Sequence, residues 1–289
     1  MRTEQLAPGG GTAGRFAGPA PVLLGILNTT PDSFSDGGFY LDRDRAVAHA
    51  LDMLDAGAEV VDVGGESTRP GSAPVAPEEE VRRVVPVIRD LLAERPGTLV
   101  SIDTYRAATA RAALEAGAAM VNDVSAGTMD AGMLPLVAEA GCPVVLMHMK
   151  GEPKTMQLDP RYKDVVREVR EFLLQRVRAA ERAGVAPENV VLDPGIGFGK
   201  TLVHNLTLLR DLEEISALGF PVILGTSRKS FIGRLSGVEE ASGRVFGTVA
   251  TSVMAYERGA RLFRVHDVRE NREALAVAAA LGDLPDSTV

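Results

Sequence analysis

Eight short apolar runs, each followed by a stretch with helical spacing, constrain this 289-residue chain more than any other feature. The runs are VLLGILN (22–28), EVVDVGG (59–65), TLVSIDT (98–104), MVNDVS (120–125), PVVLMHM (143–149), VVLDPG (190–195), PVILGTS (221–227) and LFRVHDV (262–268). Between them lie segments such as RAVAHALDMLDAG and EEEVRRVVPVIRDLLAER. Apolar runs alternating with helices indicate parallel strands covered on both faces. The strand starts lie roughly 34 residues apart, near one eighth of a ~250-residue barrel. Four helices end in a common signal, DAGAEVVD, EAGAAMVND, EAGCPVV and ERGARLFRV, where Gly supplies a left-handed cap before the next strand. An open doubly wound sheet would carry a glycine-rich phosphate turn after its first strand. GILNTTPDSFSDGG is not that turn, and the expected fold is a single-domain α/β (β/α)8 TIM barrel with eight helices.

Composition agrees. Aromatics make up only 4% of the chain and tryptophan is absent, which suits an Ala/Val/Leu core better than an aromatic-rich β-sandwich. Residues 1–20 and 284–289 read as tails around a barrel spanning 21–283, and the first twenty residues lack the apolar stretch of a secretory signal. The net charge of −8 argues against a nucleic-acid partner. No apolar run is long enough to span a membrane. The lone Cys142 excludes an internal disulfide framework and suits a reducing cytoplasm.

In a barrel of this kind the C-terminal strand ends build the active site. Here those ends carry Asn28, Gly64-Gly65-Glu66, Asp103, Asn122-Asp123, Met147-His148, Asp193, Ser227, and Arg264 with His266. Polar groups converging on a barrel mouth must be paired or wetted, so the set points to a polar, flat ligand. Arg228, Lys229 and Ser230 form one anion-attracting cluster, and Arg264 with His266 on one strand face form another. The first loop, NTTPDSFSDGGFY, reads as a lid, and the second, GGESTRPGSAPV, as its neighbour over the same mouth. Asp123 and His148 read as structural hydrogen-bonding groups, His49 and His204 as surface or capping residues, and Cys142 as a small buried apolar group.

Together these segments resemble the dihydropteroate synthase family of pterin-binding barrels. The resemblance rests on GILNTTPDSFSDGG (25–38), GGESTRPG (64–71), SIDTY (101–105), NDVS (122–125), HMKGEPKTMQ (148–157), DPGIGFGKTLVHNL (193–206), GTSRKSFIG (225–233) and RVHDV (264–268), in family order. Thr29 stands where a valine is more usual. The family implies condensation of a 6-hydroxymethyl-dihydropterin diphosphate with 4-aminobenzoate, releasing diphosphate in folate biosynthesis. By matching position it implies that Asp103, Asn122, Asp193 and Lys229 hold the pterin, within a slot shaped by Met147, Phe198 and Gly225. Asn28, Arg264 and His266 are implied for the diphosphate, with Asn28 also a Mg²⁺ ligand. Phe34, Thr68, Arg69, Pro70 and Ser230 are implied for aminobenzoate, and Asp103, Asp193, Lys229 and Arg264 for the chemistry. Members are sulfonamide targets and generally homodimers, and GRVFGTVATSVMAYERG (243–259) is apolar around most of its circumference. Two other readings share part of the pattern. A methyl-transferring pterin barrel needs neither the first-loop motif nor RVHDV, and a catalytically silent pterin-binding paralogue would show erosion at Asn28, Lys229 or Arg264.

Overall fold

The computed structural model describes residue 16 and residues 18–29, 39–67, 75–152 and 154–282. Phe34, Thr68, Arg69 and Pro70, most of the first loop, and 284–289 lie outside the described residues.

Each apolar run forms a strand: β1 Val22–Asn28, β2 Val60–Gly64, β3 Leu99–Asp103, β4 Met120–Asp123, β5 Val144–Met147, β6 Val190–Asp193, β7 Ile223–Leu224 and β8 Leu262–Val265. All pairs are parallel, in the order β6-β5-β4-β3-β2-β1-β8-β7. A bridge between Leu192 and Val222 closes the barrel. Helices α1 Phe39–Asp55, α2 Pro77–Glu94, α3 Ala107–Glu115, α4 Met133–Ala140 and α5 Val165–Arg182 each return the chain to the next strand. The expectation of one helix per strand fails in the last crossovers. Between β6 and β7 lie α6 Leu202–Arg210 and α7 Glu213–Ser216, and α8 Ser230–Ser236 and α9 Val245–Glu257 follow β7 before α10 Val268–Gly282 closes the chain.

Local chemistry sets the helix ends. Pro77 opens α2 and three glutamates fill its first turn, where the helix dipole favours negative charge. The Asp164 side chain caps α5, accepting the Arg167 N–H at 3.0 Å. Gly57, Gly117, Gly141 and Gly259, the four cap glycines, all take positive φ.

Strand pleating sorts the apolar residues into two cores. Leu23, Val61, Ile102, Val121, Leu146, Leu192 and Phe263 face the helices. The alternate residues Leu24, Val60, Met120, Val145, Val191, Ile223 and Leu262 face inward and fill the barrel floor. Phe16 joins this inner cluster and is only 3% exposed. The reading of 1–20 as tail therefore needs correction at this residue: a single aromatic side chain preceding β1 packs under the barrel. Phe16→Ala should lower unfolding free energy by about 3 kcal/mol, the lower end of the Phe→Ala range, as measured by denaturant titration. Turnover at the opposite end should be unaffected.

Candidate active site

Above the apolar floor the inward positions turn polar. Two residues up the pleat from Val60, Met120, Val191 and Leu262 stand Asp62, Asn122, Asp193 and Arg264, all reaching one interior. Register brings the next level together: Asn28 pairs with Gly64, Gly64 with Asp103, and Asp103 with Asn122. Met147 and Asp193, the last residues of β5 and β6, are register partners.

Arg264 occupies the centre. Its Nε donates to Asp62 Oδ2 at 2.5 Å and its Nη2 to Asp103 Oδ2 at 2.6 Å, so β8 is tied to β2 and β3 across the interior. Asn122 Nδ2 also donates to Asp62 Oδ2, at 3.1 Å. Among the described residues, Asp62 Oδ1, Asp103 Oδ1 and Ser101 Oγ are buried without a partner. Unpaired buried acceptors are costly, and here they line the space beneath the mouth where a donor-rich ligand would satisfy them. Burial opposes the Arg264 cation, but Asp62 and Asp103 outweigh it and hold its pKa above the usual arginine value. Two carboxylates share this one guanidinium. Burial, reinforced by Asp62 and opposed by Arg264, pushes Asp103 up to about 7.

The Asp193 carboxylate accepts the Gly195 N–H at 2.7 Å, its one side-chain hydrogen bond among the described residues. Burial raises its pKa, against the pull of Lys229, Gly195 and Lys200. The Lys229 ammonium donates to the Ile196 carbonyl and lies 4.7 Å from the centre of the Phe198 ring. Burial draws it down to about 8, opposed by Asp193. Lys229 is presented by a strained turn: Arg228 has φ 57, uncommon for a residue with a side chain. That conformation is held by two Arg228–Asp267 bonds at 3.0 and 2.5 Å and by donation of the Arg228 N–H to Thr248 Oγ1 at 3.0 Å. Arg228 is thus committed to Asp267, and of the expected basic cluster Lys229 alone joins the interior.

His266 stands beside Ser227, whose hydroxyl accepts the His266 backbone N–H at 3.0 Å and lies 2.9 Å from ring Nδ1. Asn28 ends β1 half-buried, and its side-chain amide has no hydrogen-bond partner among the described residues. Gly225 follows β7 with open space where a Cβ would point, as the wall of a slot requires. Ser230 is exposed at the first position of α8. Thr29 donates its hydroxyl to the Gly64 carbonyl at 3.0 Å, so the departure from valine adds a tie between the bases of the first two loops.

The base of the second loop is held by Glu66. Its carboxylate accepts the Val75 N–H and the Tyr105 hydroxyl, each at 2.8 Å, and pairs with Arg106, which also bonds Glu80.

The sequence profile of the pterin binding enzyme family matches residues 24–266. The chain belongs to that family. Within it, a dihydropteroate synthase from Mycobacterium leprae is 51% identical over 90% of this chain and 94% of its own length. One from Escherichia coli is 47% identical over 90% and 91%. Among solved structures, Xanthomonas albilineans dihydropteroate synthase with 4-aminobenzoic acid superposes with a TM-score of 0.87 at 47% identity, covering 92% of this chain and 94% of that one. The same enzyme in complex with 7,8-dihydropteroate gives 0.84 at 45% identity, covering 92% and 95%.

For a pterin-binding enzyme the interior is apt, because Asp103, Asn122, Asp193, Lys229 and Arg264, expected from separate motifs, surround one opening. Asp62 and Lys200 went unnoticed in the sequence. The signal was there: a lone charge inside VVDVG, or beside the glycines of GFGK, must be paired if the segment is buried. His148, Asp123, His204 and Cys142 have the structural settings expected of them. His148 contacts Lys200, and Asp123 accepts from Ser125 and Gly127. His204 forms a capping box with Thr201, and the Cys142 thiol is pushed up to about 11 by burial.

The shared guanidinium makes a pH prediction. Asp103 holds a proton near pH 6 that the unfolded chain, with its ordinary carboxyl at 3.8, releases. Its contribution to the stability of the ligand-free protein therefore falls as pH rises from about 4 through 7. Binding of a pterin that needs the ionised carboxylate should run the other way, tightening several-fold between about pH 6 and 8. Calorimetry showing a flat profile would contradict this assignment.

Proposed function

We propose that this barrel mouth performs dihydropteroate synthesis, joining the methylene carbon of a dihydropterin diphosphate to the amine of 4-aminobenzoate. The observation carrying the proposal is the convergence of Asp103 from β3, Asn122 from β4, Asp193 from β6 and Lys229 from the turn after β7 on one interior, with unsatisfied carboxylate oxygens facing it. A pterin edge offers an amidine-like row of N–H donors and a carbonyl, which suits two carboxylates, an amide and a cation. Phe198, Met147 and Gly225 leave a flat slot for the ring.

In the reaction the C–O bond to diphosphate breaks and a C–N bond to the aniline nitrogen forms, with one amine proton passing to solvent. The neutral aromatic amine is already nucleophilic near neutral pH, so no strong general base is needed. Departure of diphosphate leaves positive charge delocalised into the pterin, which Asp103 and Asp193 face and stabilise. The Arg264 N–H groups not bonded to Asp62 and Asp103 are left to receive the diphosphate. Ser227 can donate to His266 Nδ1, which places the ring proton on Nε2 as a second donor to the leaving group. The free Asn28 amide oxygen fits a Mg²⁺ ion that takes most of its other ligands from diphosphate and water. Bound there, the ion would neutralise charge on the leaving group. Phe34, Thr68, Arg69, Pro70 and Ser230 are the residues proposed for aminobenzoate.

Incubating the protein with both substrates and Mg²⁺ should yield dihydropteroate and diphosphate, and chelation should abolish the yield. Asp193→Asn keeps the shape but removes one charge, and should cost about 10²-fold or more in kcat/KM. Near-normal turnover by that variant would remove Asp193 from the mechanism.

A homodimer in a cytoplasmic setting completes the proposal. No helix among the described residues is long and apolar enough to cross a membrane. Leu235 on α8 and Phe246 and Met254 on α9 expose apolar side chains, Phe246 to 89%. An isologous contact through this face is the most economical way to cover them. Sedimentation should give a dimer at micromolar protein, and Phe246→Glu should shift it to monomer.

A further inference from the structure

Lys200 is 2% exposed, although lysine is rarely buried unless its charge is met. It follows the glycine-rich turn 193–199 and points back into it. Its Nζ donates to the carbonyls of Gly195 at 2.8 Å, Phe198 at 3.0 Å and His148 at 3.2 Å, and lies 2.9 Å from His148 Nδ1. A charged ammonium only donates, so Nδ1 accepts, its three protons being shared among four acceptors, and the imidazole proton sits on Nε2. Burial and the nearby Lys200 charge drive the His148 imidazolium down to about 2, which keeps the ring a neutral acceptor. Burial also draws the Lys200 ammonium well below its ordinary range, opposed by Asp193. The acceptor cage favours the three-donor charged form.

The cage joins two loops that already touch backbone to backbone. A Cβ on Gly195 would overlap the His148 carbonyl oxygen, and one on Gly199 would overlap that of Lys150. Both glycines have positive φ. The turn so held carries three contacts of the site. The Gly195 N–H bonds Asp193, the Ile196 carbonyl takes the Lys229 ammonium, and the Phe198 ring lies against Lys229. None of these involves Lys200 directly, yet each depends on where the turn sits.

We propose that Lys200 is a positioning residue for the pterin half of the site, its ammonium pinning the 193–199 turn to the loop after β5 and thereby fixing Asp193, Phe198 and Lys229. The assignment rests on the proposed pterin reading, which turnover by the unaltered protein tests separately.

Lys200→Met keeps an unbranched apolar stem and removes the charge and all three donors. At a temperature where the variant stays folded, its KM for the pterin diphosphate should rise roughly tenfold or more, as loosened alignment predicts. Its KM for aminobenzoate, measured at saturating pterin, should stay within about threefold, because the proposed aminobenzoate residues lie on other loops. A merely structural lysine would lower the melting temperature and leave this split absent, so a pterin KM within about twofold of the unaltered protein overturns the proposal. If Lys200→Met fails to fold, His148 decides. His148→Asn offers an amide oxygen where Nδ1 stood and should stay within about threefold, whereas His148→Leu removes the acceptor and should raise the pterin KM about fivefold or more. Equal pterin KM values for the two His148 variants would overturn the assignment.

Discussion

The ion pairs from Arg264 to Asp62 and Asp103 are the interaction on which the upper half of the barrel depends. Stripping three charges of water is expensive, and attraction between them repays it only with close geometry. Bonds of 2.5 and 2.6 Å meet that condition, and Asn122 adds a further donor to Asp62. With Asp103 ionised, the balance is left one negative charge in excess, with two carboxylate oxygens unmet. A barrel interior that only needed stability would be filled with apolar residues, as its own floor is. The unmet acceptors fit a donor-rich partner. On the proposed reading the pterin edge supplies those donors, and the negative charge meets the cation that develops as diphosphate departs.

Around that centre the protein rests on backbone more than on side chains. The 193–199 turn supplies an N–H to Asp193 and a carbonyl to Lys229, and the strained Arg228 turn aims Lys229 into the interior. Both turns are fastened from behind, one by Lys200 and the other by Asp267. Strain of the Arg228 kind costs of order 1–3 kcal/mol and persists only where neighbours over-determine it. Two hydrogen bonds from the guanidinium and one to Thr248 do so here.

Much of this was legible in the sequence, and the reason is periodicity. VLLGILN became β1 without a residue's change at either end, and the Gly caps at 57, 117, 141 and 259 fell where the helices stop. PVILGTS was less faithful: Ile223 and Leu224 form the strand, Val222 adds a single bridge to Leu192, and Gly225, Thr226 and Ser227 leave the ladder. Pleating is what hid Asp62. Within a continuous apolar run, nothing in one sequence says which alternate residues face the interior, and an acidic residue there reads as noise until register is known. Lys200 was hidden for another reason. Its partners are main-chain carbonyls, which leave no trace in residue identity. Phe16 was masked by the Gly/Pro-rich segment around it, because a single aromatic side chain has no period to detect.

The inner cluster of Leu24, Val60, Met120, Val145, Val191, Ile223 and Leu262, stoppered by Phe16, has a kinetic consequence. A barrel sealed at one end is a blind well rather than a tunnel, so everything that enters must leave by the same rim. The residues proposed for the pterin lie down the shaft, whereas Ser230, proposed for aminobenzoate, is exposed at the start of α8. Whatever settles at the lip first bars the shaft to the second arrival. On the proposed reading the deeper reactant therefore goes in first, and the fused product withdraws with its aminobenzoate end leading.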